Sequence, residues 1–281
     1  PADVGFLAIA LALGFGFLTY SGFEESATLG EEVTTASRTI PRVLIFTVLT
    51  VGVTCTVISA AEVLGFGVTA ADMARFTAST SLLGDLATTY LGSDIGDVFD
   101  IFAMLSALGA ALASTAAASR IMFALLRDVA PGNPLGRIET DSGTPRNAAV
   151  LIVASGVLGY ALMRHALGAS PSDAFFWGST LAALGILLVY LLVTIGAAAS
   201  VVRTRSGAGR VALMIPILAA AAITYTLWVN VFPLKSGAYA VLPLVVIGWI
   251  AIPVIAVIAL PKITRDVSAG LADGADHHDA G

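Results

Sequence analysis

The sequence predicts an all-α membrane protein with seven transmembrane helices, of which the first is discontinuous. Apolar residues make up 57% of the 281 residues and charged residues only 12%, with a mean hydropathy of +0.92. Soluble domains carry about twice that share of charge. Apolar runs long enough to cross a bilayer, about 20 residues, recur several times. The short alternating segments of a membrane β-barrel are not the pattern of this sequence.

The seven predicted spans follow one another with short connections. They cover residues 3–31, 41–63, 97–124, 146–164, 174–202, 211–232 and 240–260. The longest polar connection, between the second and third spans, contains the helix-forming segment "SLLGDLATTYL". The connection between the third and fourth spans is rich in proline, glycine and arginine, which favours turns. Residues 263–281 are predicted to form a disordered polar tail.

The basic residues predict the orientation of these spans. Of the 14 lysines and arginines, 11 fall in the loops on the side reached after the first span. The predicted location is the cell membrane. Loops rich in Lys and Arg stay in the cytoplasm, so this side and the C-terminal tail are predicted to be cytoplasmic. The chain begins "PADVGFLAIA" without the pattern of a secretory signal peptide. An odd number of further spans upstream would restore a cytoplasmic start.

The first span contains the segment "FLTYSGFEESATLGEE", residues 17–32, which places two acidic residues at membrane depth. One interpretation is that the helix unwinds at Ser21-Gly22, so that Glu24 and Glu25 lie in the first turn of a second half-helix, where the helix dipole favours negative charge. The other is that the span ends near Tyr20 and an interfacial loop follows. Because the apolar pattern continues beyond the glutamates, we favour the discontinuous helix.

Two motifs resemble those of amino acid permeases in the amino acid, polyamine and organocation superfamily. The segment "GFEESATLGEEVTTASRTIPRVL", residues 22–44, is similar to the sixth-helix signature of that family. The segment "SRIMFALLRDVAPGNPLGRIETDSGTPRNA", residues 119–148, is similar to its eighth helix and the loop that follows.

The resemblance implies a leucine-transporter-like inverted-repeat fold, in which this chain corresponds to helices six to twelve. Residues 1–202 would then form the second five-helix repeat and residues 203–262 two additional C-terminal helices. The five preceding helices of the permease would be missing partners of this sequence.

The resemblance also implies where substrate binds, because the family holds it between the discontinuous first and sixth helices. The corresponding positions here are Leu18, Thr19, Tyr20, Ser21, Gly22, Phe23 and Glu24. Carbonyl groups that end the first half-helix would receive the amino group of the substrate, and a large side chain would act as a gate. Leu18 stands where some relatives have an aromatic residue, which argues against an arginine or polyamine substrate. The sequence does not indicate which amino acid is the substrate.

Three residues are candidates for coupling to H⁺ or Na⁺. Glu24 either carries a proton or holds the half-helices together by hydrogen bonds to the backbone. Ser114 and Thr115 correspond to a hydroxyl pair that binds an ion in sodium-coupled relatives; the alternative, which we favour, is that they bond to their own helix. We expect neither a metal centre nor another cofactor.

The predicted function is secondary active transport of amino acids by alternating access. The alternative is a membrane receptor or partner subunit that binds amino acids without moving them. The sequence contains no HExxH pair, nucleophile elbow or phosphate-binding loop. We therefore expect no catalytic residues and no enzyme activity, and we expect no nucleic-acid partner.

Overall fold

All regular structure in the described residues is helical. The computed structural model describes residues 5–25, 35–129, 133–138, 144–204, 209–232 and 237–259. The α-helices within these ranges are α1 (Phe6–Tyr20), α2 (Ala36–Phe66), α3 (Ala70–Ala78), α4 (Leu82–Leu91), α5 (Ser93–Val129), α6 (Arg146–His165), α7 (Pro171–Thr204), α8 (Gly209–Val231) and α9 (Ala238–Ala259). A short 3₁₀ helix, Pro134–Gly136, follows α5. The prediction of an all-α protein is confirmed. The predicted tail, residues 263–281, lies outside the described residues.

Within the described ranges, five helices are long and apolar enough to cross a membrane, and they match the second to sixth predicted spans. The spanning segments are Arg38–Phe66, Ser93–Arg127, Arg146–His165, Pro171–Arg203 and Ala212–Val231. At the end of the chain, the apolar stretch Ala238–Ile252 in α9 is shorter. At its start, α1 has 15 residues and is therefore about 22 Å long, whereas the hydrocarbon layer is about 30 Å thick. The predicted first span continues beyond α1 to residue 31. Residues 26–34 lie outside the described ranges.

The polar connection between the second and third spans folds into two short helices. The segment "SLLGDLATTYL" forms α4, as predicted. Helix α3 begins with a capping box in which Thr69 and Asp72 exchange side-chain and backbone hydrogen bonds, and Arg75 lies 2.7 Å from the Asp72 carboxylate. The hydrogen bonds from Thr69 and the guanidinium of Arg75 hold the pKa of Asp72 below its usual value.

The helices divide into two compact units. One unit comprises residues 1–21 and 154–281, and the other comprises residues 22–153. In the first, α1 packs on α7 and α8, and α9 packs on α7; its interior includes the fully buried side chains of Leu187 and Thr226. In the second, α4 packs closely on α5, and α2 contacts α3 and α4. The predicted division into a five-helix repeat and two further helices is not tested by this division and stays a prediction.

Most large apolar side chains of the spanning helices lie on the surface. In α2, none of the most apolar stretch is buried, and Phe46 and Val53 are about two-thirds exposed or more, at 71% and 66%. Such a surface is unfavourable in water but not against lipid chains or other membrane helices. The exposed faces are therefore those expected of a membrane protein.

Candidate functional site

Helix α1 ends abruptly at the predicted break. It is helical to Tyr20, and Ser21 is extended, with φ −62° and ψ 147°. Gly22 has φ +106°, a conformation that residues with a Cβ atom strongly disfavour. No atom lies within 4 Å of where a Cβ of Gly22 would be, so the requirement for glycine is conformational. Helix α1 therefore ends at Tyr20, directly before Ser21-Gly22, and the discontinuous first span stays a prediction.

The carbonyl of Leu18 shows how the helix is terminated. In a continuing helix it would accept a hydrogen bond from the N–H of Gly22, four residues on. Here it accepts from the backbone N–H of Ser21 at 3.0 Å and from the Ser21 hydroxyl at 2.7 Å. The helix is thus closed by Ser21, which satisfies the carbonyl of Leu18 through both its backbone N–H and its hydroxyl. The negative end of the helix dipole lies at the same place.

The chain then makes a tight turn held by Glu24. Residues 23–25 form one turn of 3₁₀ helix, in which the N–H of Glu25 donates to the carbonyl of Gly22 at 3.1 Å. The N–H of Gly22, released from the helix, donates to a carboxylate oxygen of Glu24 at 2.9 Å. Glu24 is half-buried. The second half-helix predicted to follow falls mostly on residues 26–34, outside the described residues.

The neighbouring glutamate bonds instead to α5. The hydroxyl of Ser114 donates to a carboxylate oxygen of Glu25 at 2.9 Å. Glu25 was not among the site residues predicted from the sequence. The two residues are 89 positions apart, and the serine lies in a run of alanines, so no local pattern pairs them. The sequence offered only two separate signals: Ser114 is polar in a helix of small residues, and Glu25 is a second acidic residue beside Glu24.

Ser114 and Thr115 make different contacts although they are adjacent. The hydroxyl of Thr115 donates to the carbonyl of Ala111 at 2.7 Å, a bond within its own helix. That geometry is the favoured alternative of the sequence analysis for Thr115, whereas Ser114 bonds to the acidic turn. Within the described ranges, no three histidine, cysteine or acidic side chains lie close enough together to hold a metal ion.

The seven implied substrate positions are contiguous along the break. Leu18, Thr19 and Tyr20 form the last turn of α1, and Ser21 ends it; these belong to the first compact unit. Gly22, Phe23 and Glu24 begin the second unit. Their role in substrate binding stays a prediction.

The first unit also contains a cavity that the sequence analysis did not anticipate. It has a volume of about 170 Å³. Its lining combines three polar side chains with glycine, alanine and leucine; the residues are Gly14, Thr180, Ala183, Leu184, Leu187, Asn230 and Tyr239. These positions come from α1, α7, α8 and α9, which no sequence pattern brings together.

These helices define a multi-pass membrane protein in which one apolar helix is broken beside two acidic residues. The family model described as Amino acid permease matches residues 1–268. The chain therefore belongs to the amino acid permease family. No curated protein and no solved structure matches the chain in the corresponding comparisons.

Proposed function

We propose that the chain is part of a secondary active transporter that moves amino acids across the cytoplasmic membrane by alternating access. Membership of the amino acid permease family supports transport of amino acids. The observation that carries the mechanism is the broken helix at Ser21-Gly22, because non-helical backbone at membrane depth is tolerated where it lines a site.

In this proposal the ammonium group of the substrate binds at the carbonyl end of α1. The negative end of the helix dipole favours a cation at this position. Leu18, Tyr20 and Phe23 contact the substrate side chain.

Glu24 and the Glu25–Ser114 pair are the proposed points of coupling to H⁺ or Na⁺. The carboxylate of Glu24 holds the N–H of Gly22, so a proton or a cation that competed for it would loosen the turn. Ser114 and Thr115 offer hydroxyl oxygens to a sodium ion. Uptake driven by a pH gradient in sodium-free buffer would favour the proton, and uptake that requires sodium would favour the ion.

The proposed orientation places the loops with 11 of the 14 basic residues, and the C-terminal tail, in the cytoplasm. A cysteine introduced by Ala208→Cys, after Cys55→Ser, should then resist impermeant thiol reagents applied to intact cells. Labelling from outside would contradict this orientation. The proposed protein is a transporter and not an enzyme.

The central experiment compares two substitutions of Glu24 in the complete permease, reconstituted into proteoliposomes, with labelled amino acids as substrates. Glu24→Gln retains an oxygen that can accept from Gly22 but loses the charge and the exchangeable proton. Glu24→Ala loses both. We expect uptake to fall about fivefold or more with glutamine and about tenfold or more with alanine.

The two variants separate the roles of Glu24. Full uptake with glutamine and lost uptake with alanine would reduce Glu24 to a latch for the turn. Unchanged uptake with both would remove it from the mechanism. A wild-type protein that binds amino acids but gives no flux would support the receptor instead, and neither binding nor flux would refute the proposal.

A further inference from the structure

Asn230 is a polar residue in the apolar helix α8, and its side chain is fixed by its own helix. Its Nδ2 donates to the carbonyl of Thr226 at 2.9 Å. Thr226 is fully buried, and its hydroxyl donates to the carbonyl of Ala222 at 2.9 Å. The carboxamide is therefore held in one orientation at the surface of α8, since turning it would break a hydrogen bond inside the bundle.

Helix α1 rests against this carboxamide through a glycine. Gly14 is buried, and a Cβ at this position would lie 3.0 Å from Nδ2, 3.2 Å from Oδ1 and 3.3 Å from Cγ of Asn230. These distances are shorter than ordinary van der Waals contact, which begins near 3.4 Å. By contrast, a Cβ at Gly16 would have no atom within 4 Å. The close approach thus requires glycine at position 14 but not at position 16.

The contact matters for function because of where Gly14 lies in α1. Leu18 is four residues further on, one helical turn away on the same face. Its carbonyl ends the helix. Beside the contact lies the 170 Å³ cavity, which Gly14 and Asn230 both line. The carboxamide is therefore a close contact of α1 with α8 beside a cavity.

We propose that Asn230 is a positioning residue for substrate binding: its carboxamide, held by Thr226, sets the position of α1 and hence of its C-terminal end. This inference rests on the proposed function, in which the carbonyl end of α1 receives the substrate ammonium group. Asn230 itself touches no substrate. A displacement of a few tenths of an ångström at Gly14 moves the end of a stiff helix and weakens binding.

The test is a pair of matched substitutions, Gly14→Ala and Gly16→Ala, in the complete permease in proteoliposomes. Both add the same methyl group and the same gain in helix propensity to α1, but only the first collides with Asn230. We expect Gly14→Ala to raise KM for amino acid uptake about fivefold, the equivalent of one hydrogen bond, with kcat nearly unchanged. Gly16→Ala should leave both constants close to wild type.

Asn230→Ala supplies the rescue. With the carboxamide removed, the methyl group at position 14 has room, so Gly14→Ala should raise KM no further in that background. Equal effects of the two glycine substitutions, or a Gly14→Ala effect that persists without the carboxamide, would overturn the proposal.

Melting temperatures of the same purified variants separate this inference from the proposed function. We expect Gly14→Ala to melt below Gly16→Ala, and the difference to disappear in the Asn230→Ala background. If that pattern holds while KM is unaffected, the contact only stabilises the bundle and the positioning role is wrong. If the wild type neither binds nor transports amino acids, the proposed function fails, and with it the role in substrate binding. The melting temperatures would still establish or refute the contact.

Discussion

Replacing Gly22 with alanine should lower amino acid uptake by more than the accompanying loss of folding stability explains. At φ +106° a Cβ clashes with the neighbouring backbone, which costs about 1–2 kcal/mol. No other atom lies within 4 Å of the added carbon, so this local cost is the whole expected penalty. A residue that prefers negative φ favours rearrangement of the break, and 1–2 kcal/mol corresponds to a change of about 5- to 30-fold in a conformational equilibrium. We expect uptake to fall by that factor.

Gly92 provides a matched control for this experiment. It has φ +105° and, like Gly22, no atom within 4 Å of the position of a Cβ. It lies between α4 and α5 and is not among the residues of the proposed substrate site. Gly92→Ala should therefore lower the melting temperature about as much as Gly22→Ala, while uptake in proteoliposomes stays near wild type.

The comparison can refute the reasoning in two ways. If both variants lose uptake in proportion to their loss of melting temperature, the break has no special role and transport only reports stability. If Gly22→Ala retains full uptake, the conformation of the break is not needed for transport. Either result would remove the main support for a substrate site at the end of α1.

Two further predictions concern side chains outside α1. Ser114→Ala should lower uptake about fivefold because Glu25 loses its 2.9 Å donor. Thr115→Ala removes only a bond within α5, so it should change uptake less than about twofold. Equal losses of uptake with a raised KM for Na⁺ would instead indicate a shared sodium site. Asp72→Asn should lower the melting temperature near neutral pH. Because the folded state lowers the pKa of Asp72, its charge stabilises α3 above the unfolded pKa of about 3.9. The difference from wild type should shrink as pH falls through the lower folded pKa, and a difference independent of pH would contradict this.

The broken helix was predictable because its causes are local. Glycine is the residue that adopts positive φ readily, and the serine before it carries a hydroxyl that can satisfy a carbonyl at the end of a helix. Two acidic residues directly afterwards are costly in lipid unless a polar site surrounds them. These three features lie within five residues of the sequence. The segment that forms α4 was predictable for a similar reason, since its apolar spacing is contained in one short stretch.

The contacts of the site were not predictable because they join distant positions. The bond from Ser114 to Glu25 spans 89 residues, and neither residue differs in type from many others that bond to their own helix or to headgroups. Gly14 likewise gave no sign of its contact with Asn230, because a glycine in a membrane helix has many uses. The family resemblance implied that Ser114 and Thr115 act as a pair, whereas in the structure each hydroxyl has a separate partner.

The two adjacent glutamates illustrate how one short segment acquires two functions. Successive residues of a 3₁₀ turn point about 120° apart, so Glu24 and Glu25 do not face the same neighbour. Glu24 bonds back to Gly22 and closes the turn, while Glu25 bonds to Ser114 and attaches the turn to α5. Neutralising the first should loosen the turn itself, and neutralising the second should release it from α5. The two glutamates therefore cannot replace one another. We expect Glu24→Gln and Glu25→Gln to change KM and kcat in different proportions.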